Sequence, residues 1–210
     1  MAASSAVGHA SRVGQHYSQV KQVGLDKRDE ARIIKMRNFN NFIKSLLINM
    51  YTNQGKSAPP HSVLRPTGFS AWIPDSDIKM LIGDTVFDMA SGKGGDLNKW
   101  SSRRVRHVTF ADVASESVQQ SRERYEERHK SKFSASFHVG DLTRAEPQRW
   151  EPPLSTNLKF DVVSCQFALH YCFESQKQCK TFVRNAAQNL KRGGYFFGTT
   201  IWSGKGFLSF

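Results

Sequence analysis

A glycine-rich segment carries the clearest chemical signal in the sequence. The apolar stretch Val86–Ala90 runs into Ser-Gly-Lys-Gly-Gly, and a helical pattern follows. Glycine permits positive φ and lets a ligand approach the backbone closely, and such a turn at the carboxyl edge of a parallel sheet is where nucleotides bind. The pattern Asp-x-Ala-x-Gly-x-Gly is neither a Walker A loop nor a complete dinucleotide fingerprint. It favours an adenosyl ligand without a pyrophosphate, and an ordinary strand–helix turn is the alternative.

Two carboxylates are spaced to complete such a site. Asp112 ends the next predicted strand, 20 residues after Gly92, where it could accept hydrogen bonds from both ribose hydroxyls. Asp141 ends the third predicted strand and could accept a hydrogen bond from an adenine amino group. For Asp141 alone, a helix or turn cap is an equally good interpretation. Three consecutive strands that meet a ligand at their carboxyl ends are the arrangement expected of an open α/β sheet.

A third polar group follows the fourth predicted strand. Gln166, His170 and Tyr171 lie just past its end, in the segment Ser164–Ser175. Aromatic rings stack on bases, and the edge of a histidine can read the hydrogen-bonding groups of a base. The sequence therefore favours base recognition here, although a lone histidine is more often structural.

The elements that must position these residues alternate along the chain. Strands are predicted at Val86–Ala90, Val108–Asp112, Ser136–Asp141, Phe160–Gln166 and Gly194–Thr200. Helices are predicted near Gly95–Ser101, Ser115–Lys132 and Glu174–Leu190, the last stopped by Lys-Arg-Gly-Gly at 191–194. Alternation of this kind predicts a right-handed α/β fold with a parallel sheet.

The rest of the chain divides by composition. Residues 1–25 are small and polar and are predicted to form a disordered arm. Apolar residues recur every three or four positions over 27–52 and predict an N-terminal helix. Residues 54–84 contain several prolines and glycines and are predicted to form an inserted loop. We expect one domain over 26–200, with its α/β core at 85–200 and an atypical tail at 201–210.

Charge and cysteine content narrow the class of protein. The 210 residues include 30 Lys and Arg against 18 Asp and Glu, and the net charge of +12 points to a polyanion such as nucleic acid. An uncommitted basic surface is the alternative. Cys165, Cys172 and Cys179 fit neither a disulfide framework nor a zinc site, so we expect no metal and a reducing compartment. No apolar run is long enough for a membrane span, and the N-terminus does not predict secretion, although a transit peptide stays an alternative.

Four segments together resemble the cellular mRNA cap guanine-N7 methyltransferases, which are class I S-adenosylmethionine-dependent enzymes. They are Arg37–Lys44, Asp88–Trp100, Ser164–Ser175 and Gly193–Thr200. The resemblance covers roughly 17–50 and 85–200. Arg-Asn-Phe-Asn-Asn and Ser-Cys-Gln-Phe-x-x-His-Tyr are far more specific than the glycine-rich turn. The resemblance implies a Rossmann-like class I sheet, S-adenosylmethionine as cofactor, the capped 5′ end of mRNA as partner, and a nuclear enzyme of mRNA processing.

The resemblance also implies site residues. The cofactor positions are Lys44, Ala90, Asp112, Asp141, Gln166 and Tyr171. The cap-side and RNA-side positions are Asn40, Asn41, Lys93, Lys99, Arg124 and His170. No catalytic residue is expected, because guanine N7 carries a lone pair and no proton, so that alignment suffices. For Lys99 and Arg124 the residues alone predict only solvated helix charges.

Two departures from the family pattern shape our expectations. The family usually has glycine where this chain has Ala90, and a positive φ there would strain the backbone and weaken cofactor affinity. The family continues beyond Gly-Thr-Thr, so we expect a truncated sheet of about five strands that lacks the last ones. The alternatives are a methyltransferase acting on another nucleic acid or a small molecule, an inactive isoform that binds only cofactor or RNA, and an unstable fragment. A protein activator or the transcription machinery is a further possible partner.

Overall fold

The computed structural model describes residues 34–52 and 83–200. The predicted arm, the first residues of the N-terminal helix, nearly all of the inserted loop and the tail lie outside the described residues. Within the described ranges, no helix combines the length and apolarity that a membrane crossing requires.

The described residues follow a strand–helix alternation after one N-terminal helix. In chain order the elements are α1 (Ile34–Tyr51), β1 (Thr85–Met89), α2 (Leu97–Ser102), β2 (His107–Asp112), α3 (Ser115–Arg128), β3 (Ser134–Val139), β4 (Phe160–Gln166), α4 (Gln176–Gln188) and β5 (Leu190–Thr199). Two short 3-10 helices, Pro147–Arg149 and Leu169–Phe173, flank β4. The predicted α/β fold is therefore confirmed.

The five strands form one parallel sheet in the order β3-β2-β1-β4-β5. Met89 of β1 pairs with Ala111 of β2 on one side and with Cys165 of β4 on the other. Gln166 pairs with Thr199 at the end of β5. The chain crosses from β3 to β4 over β1 and β2, so the strand order reverses between β1 and β4. A crevice at such a switch point is where open α/β sheets bind ligands.

Both faces of the sheet are buried, as a parallel sheet requires. Successive residues of β1 point to opposite sides: Val86 joins a core with Trp100 and Ile48, whereas Phe87 joins a second core with Trp150. Helices α1, α2 and α3 contribute to the first core, and α4 to the second. The glycine-rich turn after β1 is thus anchored from both sides.

Helix α1 packs over the β5 side of the sheet. Its only fully buried apolar residue among those described is Ile48, and the Tyr51 ring stacks on Phe197 at 5.1 Å between centroids. Arg103, after α2, donates from Nε to the Thr52 hydroxyl at 3.0 Å and so ties down the end of α1. The exposed side of α1 is nevertheless rich in apolar residues: Met36, Phe39, Phe42, Leu46 and Met50.

Several predicted boundaries were wrong by a few residues. Helix α4 ends at Gln188, and β5 begins at Leu190 rather than at Gly194. Lys-Arg-Gly-Gly at 191–194 therefore lies inside the strand, at a register irregularity opposite Phe160 and Val162, and is not a helix stop. Gly193 supplies the positive φ of +80° that this irregularity uses. Strand β3 ends at Val139, two residues before Asp141.

Close strand contact at Gly198 yields a stability prediction. A Cβ built on Gly198 would overlap the carbonyl oxygen of Cys165, its register partner in β4. We expect Gly198→Ala to lower the free energy of unfolding by about 2 kcal/mol or more, since the strands must separate to admit the methyl group. The measurement is urea denaturation. Gly95→Ala is the control, because its Cβ would meet nothing within 4 Å; an equal loss in both variants would contradict the prediction.

Candidate cofactor and substrate site

The glycine-rich turn leaves the sheet through three left-handed residues. Ala90, Gly92 and Gly94 have φ of +54°, +55° and +73°. A Cβ on Gly94 would meet the Ser121 hydroxyl at 2.6 Å, so glycine is required for the turn to pack on α3. A Cβ on Gly92 would meet nothing within 4 Å. The backbone of the turn is therefore packed on one side and open at Gly92, as expected where a ligand approaches it.

Asp112 faces this turn from the end of β2. Its Oδ2 accepts from the Gly92 N–H at 2.8 Å, and its Oδ1 accepts from the Ala114 N–H at 2.9 Å. Burial raises the pKa of the Asp112 carboxyl, while backbone N–H groups oppose that rise. Each oxygen keeps a further lone pair, so the carboxylate is oriented and can still accept from a pair of hydroxyls. The contact orients the carboxylate at the turn, and its acceptance of ribose hydroxyls stays a prediction.

Asp141 lies in a turn beyond β3 and not at the strand end as predicted. Its Oδ1 accepts from both the N–H and the hydroxyl of Thr143, at 2.8 Å and 2.7 Å. This is the turn-capping arrangement that the sequence offered as the alternative for this residue. The neighbouring Gly140 N–H donates to the Asp112 carbonyl at 2.9 Å, so the two acidic residues follow adjacent strands at one edge. The Asp141 Oδ2 lies 3.8 Å from Nε of Arg144, in an ion pair whose arginine side chain is exposed.

The residues at and after β4 are arranged differently from the prediction. Gln166 is buried: its amide donates to the Ser164 hydroxyl at 3.0 Å, and its carbonyl accepts from the Thr199 hydroxyl at 2.9 Å. It is turned toward the sheet because those hydroxyls flank it. His170 and Tyr171 lie on the following 3-10 helix with ring centroids 4.0 Å apart. The buried Nδ1 of His170 has no hydrogen-bond partner.

A buried carboxylate that the sequence reasoning missed connects α1 to the turn. Asp96 accepts from Lys44 of α1 at 2.9 Å and from Lys99 of α2 at 2.7 Å. Lys99 also donates to the Asn41 amide oxygen at 3.2 Å. Lys99 is therefore not the solvated helix charge that the residues alone predict. The available signal was a carboxylate directly after the glycines, but its partner Lys44 lies 52 positions away.

Asp88 lies beneath this network and is almost fully buried. Burial, and then the nearby Asp96 charge, raise its pKa to about 7. The Trp100 indole N–H donates to its Oδ2 at 3.0 Å and partly offsets that rise. By contrast the pKa of Asp96 is lowered: burial acts to raise it, but Lys44 and Lys99 together outweigh burial. The two carboxylates therefore differ in charge near neutral pH.

The remaining predicted positions fall at two places. Arg124 of α3 donates to the Lys93 carbonyl at 2.7 Å, so these two residues meet at the outer side of the turn. Asn40 and Asn41 lie on α1 beside Lys44. The Phe167 ring, after β4, lies 5.8 Å from the Lys44 ammonium. Among the described residues no group of three His, Cys, Asp or Glu side chains could hold a metal ion.

The two buried carboxylates should affect stability in opposite directions. In the unfolded chain Asp88 loses its proton above pH 3.8, whereas in the fold its raised pKa keeps the proton up to about pH 7. The contribution of Asp88 to the free energy of unfolding therefore falls as pH rises through that interval. Asp96, with its pKa lowered, stabilises above its unfolded value and loses that contribution as pH falls through its folded value.

We therefore expect Asp88→Asn to raise the free energy of unfolding at pH 8 by at least about 1 kcal/mol, since asparagine can still accept from Trp100. Asp96→Asn should lower it by about 3 kcal/mol, because two partly buried ammonium groups lose their carboxylate. Denaturant unfolding between pH 4 and pH 8 measures both. Effects of the same sign would contradict the assigned charge states.

Ala90 provides a second test of the turn. A left-handed alanine costs roughly 1–2 kcal/mol, and glycine removes that cost while adding chain entropy. We expect Ala90→Gly to raise the unfolding free energy by up to about 1 kcal/mol. Ala168→Gly is the matched control, since Ala168 has a φ of −129° and should only lose stability. Thermal unfolding of both variants decides this, and a destabilised Ala90→Gly would rule out strain at the turn.

Comparison with known proteins adds independent information. The mRNA cap guanine-N(7) methyltransferase of Caenorhabditis briggsae is 40% identical over 193 residues, covering 90% of this chain and 45% of that protein. The Drosophila melanogaster protein of the same name is 37% identical over 208 residues, covering 94% and 43%. The chain thus spans about half the length of these curated relatives. A solved S-adenosylmethionine-dependent methyltransferase from Clostridium acetobutylicum aligns with a TM-score of 0.43 and 18% identity, over 54% of this chain and 41% of that one.

The family comparison covers nearly the whole sequence. A model described as the mRNA (guanine-N(7))-methyltransferase domain matches residues 1–65 and 71–205. These ranges include α1, the glycine-rich turn and all five strands. The chain therefore belongs to the mRNA (guanine-N(7))-methyltransferase family.

Proposed function

We propose that the chain acts as an mRNA cap guanine-N7 methyltransferase, transferring a methyl group from S-adenosylmethionine to N7 of the terminal guanine of capped RNA. One observation carries the proposal: Asp96 joins the helix that bears Asn40 and Asn41 to the turn that faces Asp112. This contact supports a site in which cap-side residues of α1 lie beside the glycine-rich turn. The names of the relatives in this family point to the same reaction.

The residues present fit an adenosyl cofactor. Space at Gly92 lets a ligand approach the turn, and Asp112 keeps acceptor capacity for ribose hydroxyls. In our proposal the Asp141 Oδ2, which lies 3.8 Å from Arg144 Nε, accepts from the adenine amino group, and Lys44 carries a charge suited to a ligand carboxylate. In our proposal Ala90, Gln166 and Tyr171 line the same site. S-adenosylmethionine, when bound, supplies an electrophilic methyl group on a sulfonium.

The protein's contribution to methyl transfer is alignment. The N7 lone pair lies in the plane of the guanine ring and carries no proton, so no general base is required. Methyl transfer from the bound cofactor would leave a positive charge on the guanine ring and no proton to remove, so the residues around the base would only hold it in line. Asn40, Asn41 and the unpartnered Nδ1 of His170 are candidates to orient the base. In our proposal Lys93, Lys99 and Arg124 favour a nearby triphosphate electrostatically.

The compartment and partner follow from the same proposal. Capped transcripts arise in the nucleus, and we propose that the chain acts there as an RNA-binding enzyme of mRNA processing. Its net charge of +12 favours rapid, salt-sensitive encounter with RNA.

The test measures cofactor binding and methyl transfer separately. S-adenosylmethionine is titrated calorimetrically into the parent and into Asp112→Asn. The variant should bind at least tenfold more weakly than the parent, because charge-assisted hydrogen bonds to the ribose are removed. Ala90→Gly should bind more tightly than the parent. Glu116→Gln, an exposed carboxyl change on α3, is the matched control and should bind like the parent.

Transfer of a labelled methyl group is then followed with capped RNA, uncapped RNA of the same sequence, and GpppG. We expect label only on the capped substrates, at guanine N7. Label on uncapped RNA would indicate a methyltransferase of other specificity. Cofactor binding without transfer to any of them would overturn the proposed activity.

A further inference from the structure

Two strongly basic segments meet at the amino-terminal edge of the sheet, opposite the candidate site. Residues 103–106 precede β2 and residues 128–132 precede β3; together they hold six Lys and Arg and no Asp or Glu. The strands pair in parallel with His107 opposite Ser134, and the Ser134 N–H donates to the Arg106 carbonyl at 3.1 Å. Segments that are remote in sequence therefore lie side by side.

Arg103 donates to Thr52 at the end of α1, and we call the other five cations the amino-edge basic cluster. Its members are Arg104, Arg106, Arg128, Lys130 and Lys132. Within the described ranges, no ion pair or side-chain hydrogen bond engages Arg104, Arg106 or Lys132. The pairs made by the other two are exposed, with side chains 72% and 70% accessible, and contribute little to neutralisation.

The cluster is built on a rigid turn. The Tyr125 hydroxyl donates to the Phe133 carbonyl at 2.6 Å, and the Lys132 N–H donates to the His129 carbonyl at 2.8 Å. Burial lowers the pKa of His129, and the charges of Lys132 and Arg128 lower it further. The turn thus holds its cations close together without additional charge from the histidine.

Helix α3 links the cluster to the candidate site. Arg124 contacts the Lys93 carbonyl in the glycine-rich turn at 2.7 Å. Arg128 lies one helical turn further along the same face, and Lys132 follows the helix end. At 1.5 Å per residue, the four helical positions from Arg124 to Arg128 correspond to about 6 Å. A row of cations therefore begins where the cap phosphates are expected and ends in the cluster.

We infer that the amino-edge basic cluster binds the phosphodiester backbone of the RNA that follows the cap. The inference rests on the proposed function for the choice of RNA as the polyanion. A row of cations that starts at the expected position of the cap triphosphate suits an RNA chain that is held there by its 5′ end. An unattached acidic protein would gain nothing from that continuity. Contacts of this kind bind RNA independently of its sequence.

The test compares two triple variants of the full chain with equal loss of charge. Arg104→Gln, Arg106→Gln and Lys132→Gln are combined in one. The control combines Lys177→Gln, Lys180→Gln and Arg184→Gln on the exposed side of α4. Fluorescence anisotropy with capped 25-nucleotide RNA, uncapped 25-nucleotide RNA and GpppG is measured across a salt series. Circular dichroism and thermal unfolding verify that both variants fold.

The cluster variant should bind both 25-nucleotide RNAs roughly ten- to a hundredfold more weakly, with a salt slope smaller by about 2, and should bind GpppG like the parent. The control should keep the parent affinity. Replacing Arg104 and Arg106 by lysine should retain binding, because charge rather than guanidinium geometry is required. Equal weakening in the control, or none in the cluster variant, would overturn the inference.

Two further arms separate the possible failures. Polyglutamate is added as a competitor at a charge concentration equal to that of the RNA. If it displaces RNA from the parent but not from the cluster variant, the surface binds an acidic protein and the inference is overturned. Methylation of GpppG is assayed in parallel. Its absence in the parent would refute the proposed function alone, since the RNA-binding comparison does not depend on turnover.

Discussion

The buried ion pair of Asp96 with Lys44 is the constraint on which the candidate site depends. Helix α1 has no strand pairing to fix it and buries little of its apolar surface among the described residues. A carboxylate bound by two ammonium groups from different elements sets both its position and its rotation. Replacing this contact with an apolar one could preserve stability but would not specify which residues of α1 face the turn. The ion pair therefore fixes the position of α1 relative to the turn as well as contributing to stability.

The same network shows how one small volume can hold two carboxylates in different states. Asp96 is contacted by the ammonium groups of two lysines, whereas Asp88 lies in a buried strand and accepts a hydrogen bond from an indole N–H. Environment, and not residue type, therefore decides which of them is charged. The proposed reaction moves a positive charge and no proton, so a neutral carboxyl in this volume has no evident part in the chemistry. Because Asp88 is neutral, it does not compete with Asp96 for the ammonium groups of Lys44 and Lys99.

The sequence predicted most of what depends on local pattern. Strand β4 was located at Phe160–Gln166, and Asp112 was correctly placed at the end of β2. The start of β5 was missed, because an edge strand that carries two cations and two glycines has the pattern of a helix end. The inward turn of Gln166 and the partners of Lys99 could not be predicted, since each is set by hydroxyl or carboxylate groups from other elements. The positions of the strands were therefore predictable from local pattern, whereas the partners of the site residues were set by tertiary contacts.

The hydrogen bond from Trp100 to Asp88 has an optical consequence. An indole whose N–H donates to a carboxyl experiences a different local field when that carboxyl gains a charge, and its emission shifts accordingly. Trp100 is fully buried, whereas the ionisation of its partner falls near neutral pH. The protein thus contains an intrinsic fluorophore beside its glycine-rich turn. Ligands that alter the charges around Asp96 would shift the emission wavelength of Trp100, so binding could be followed without a label.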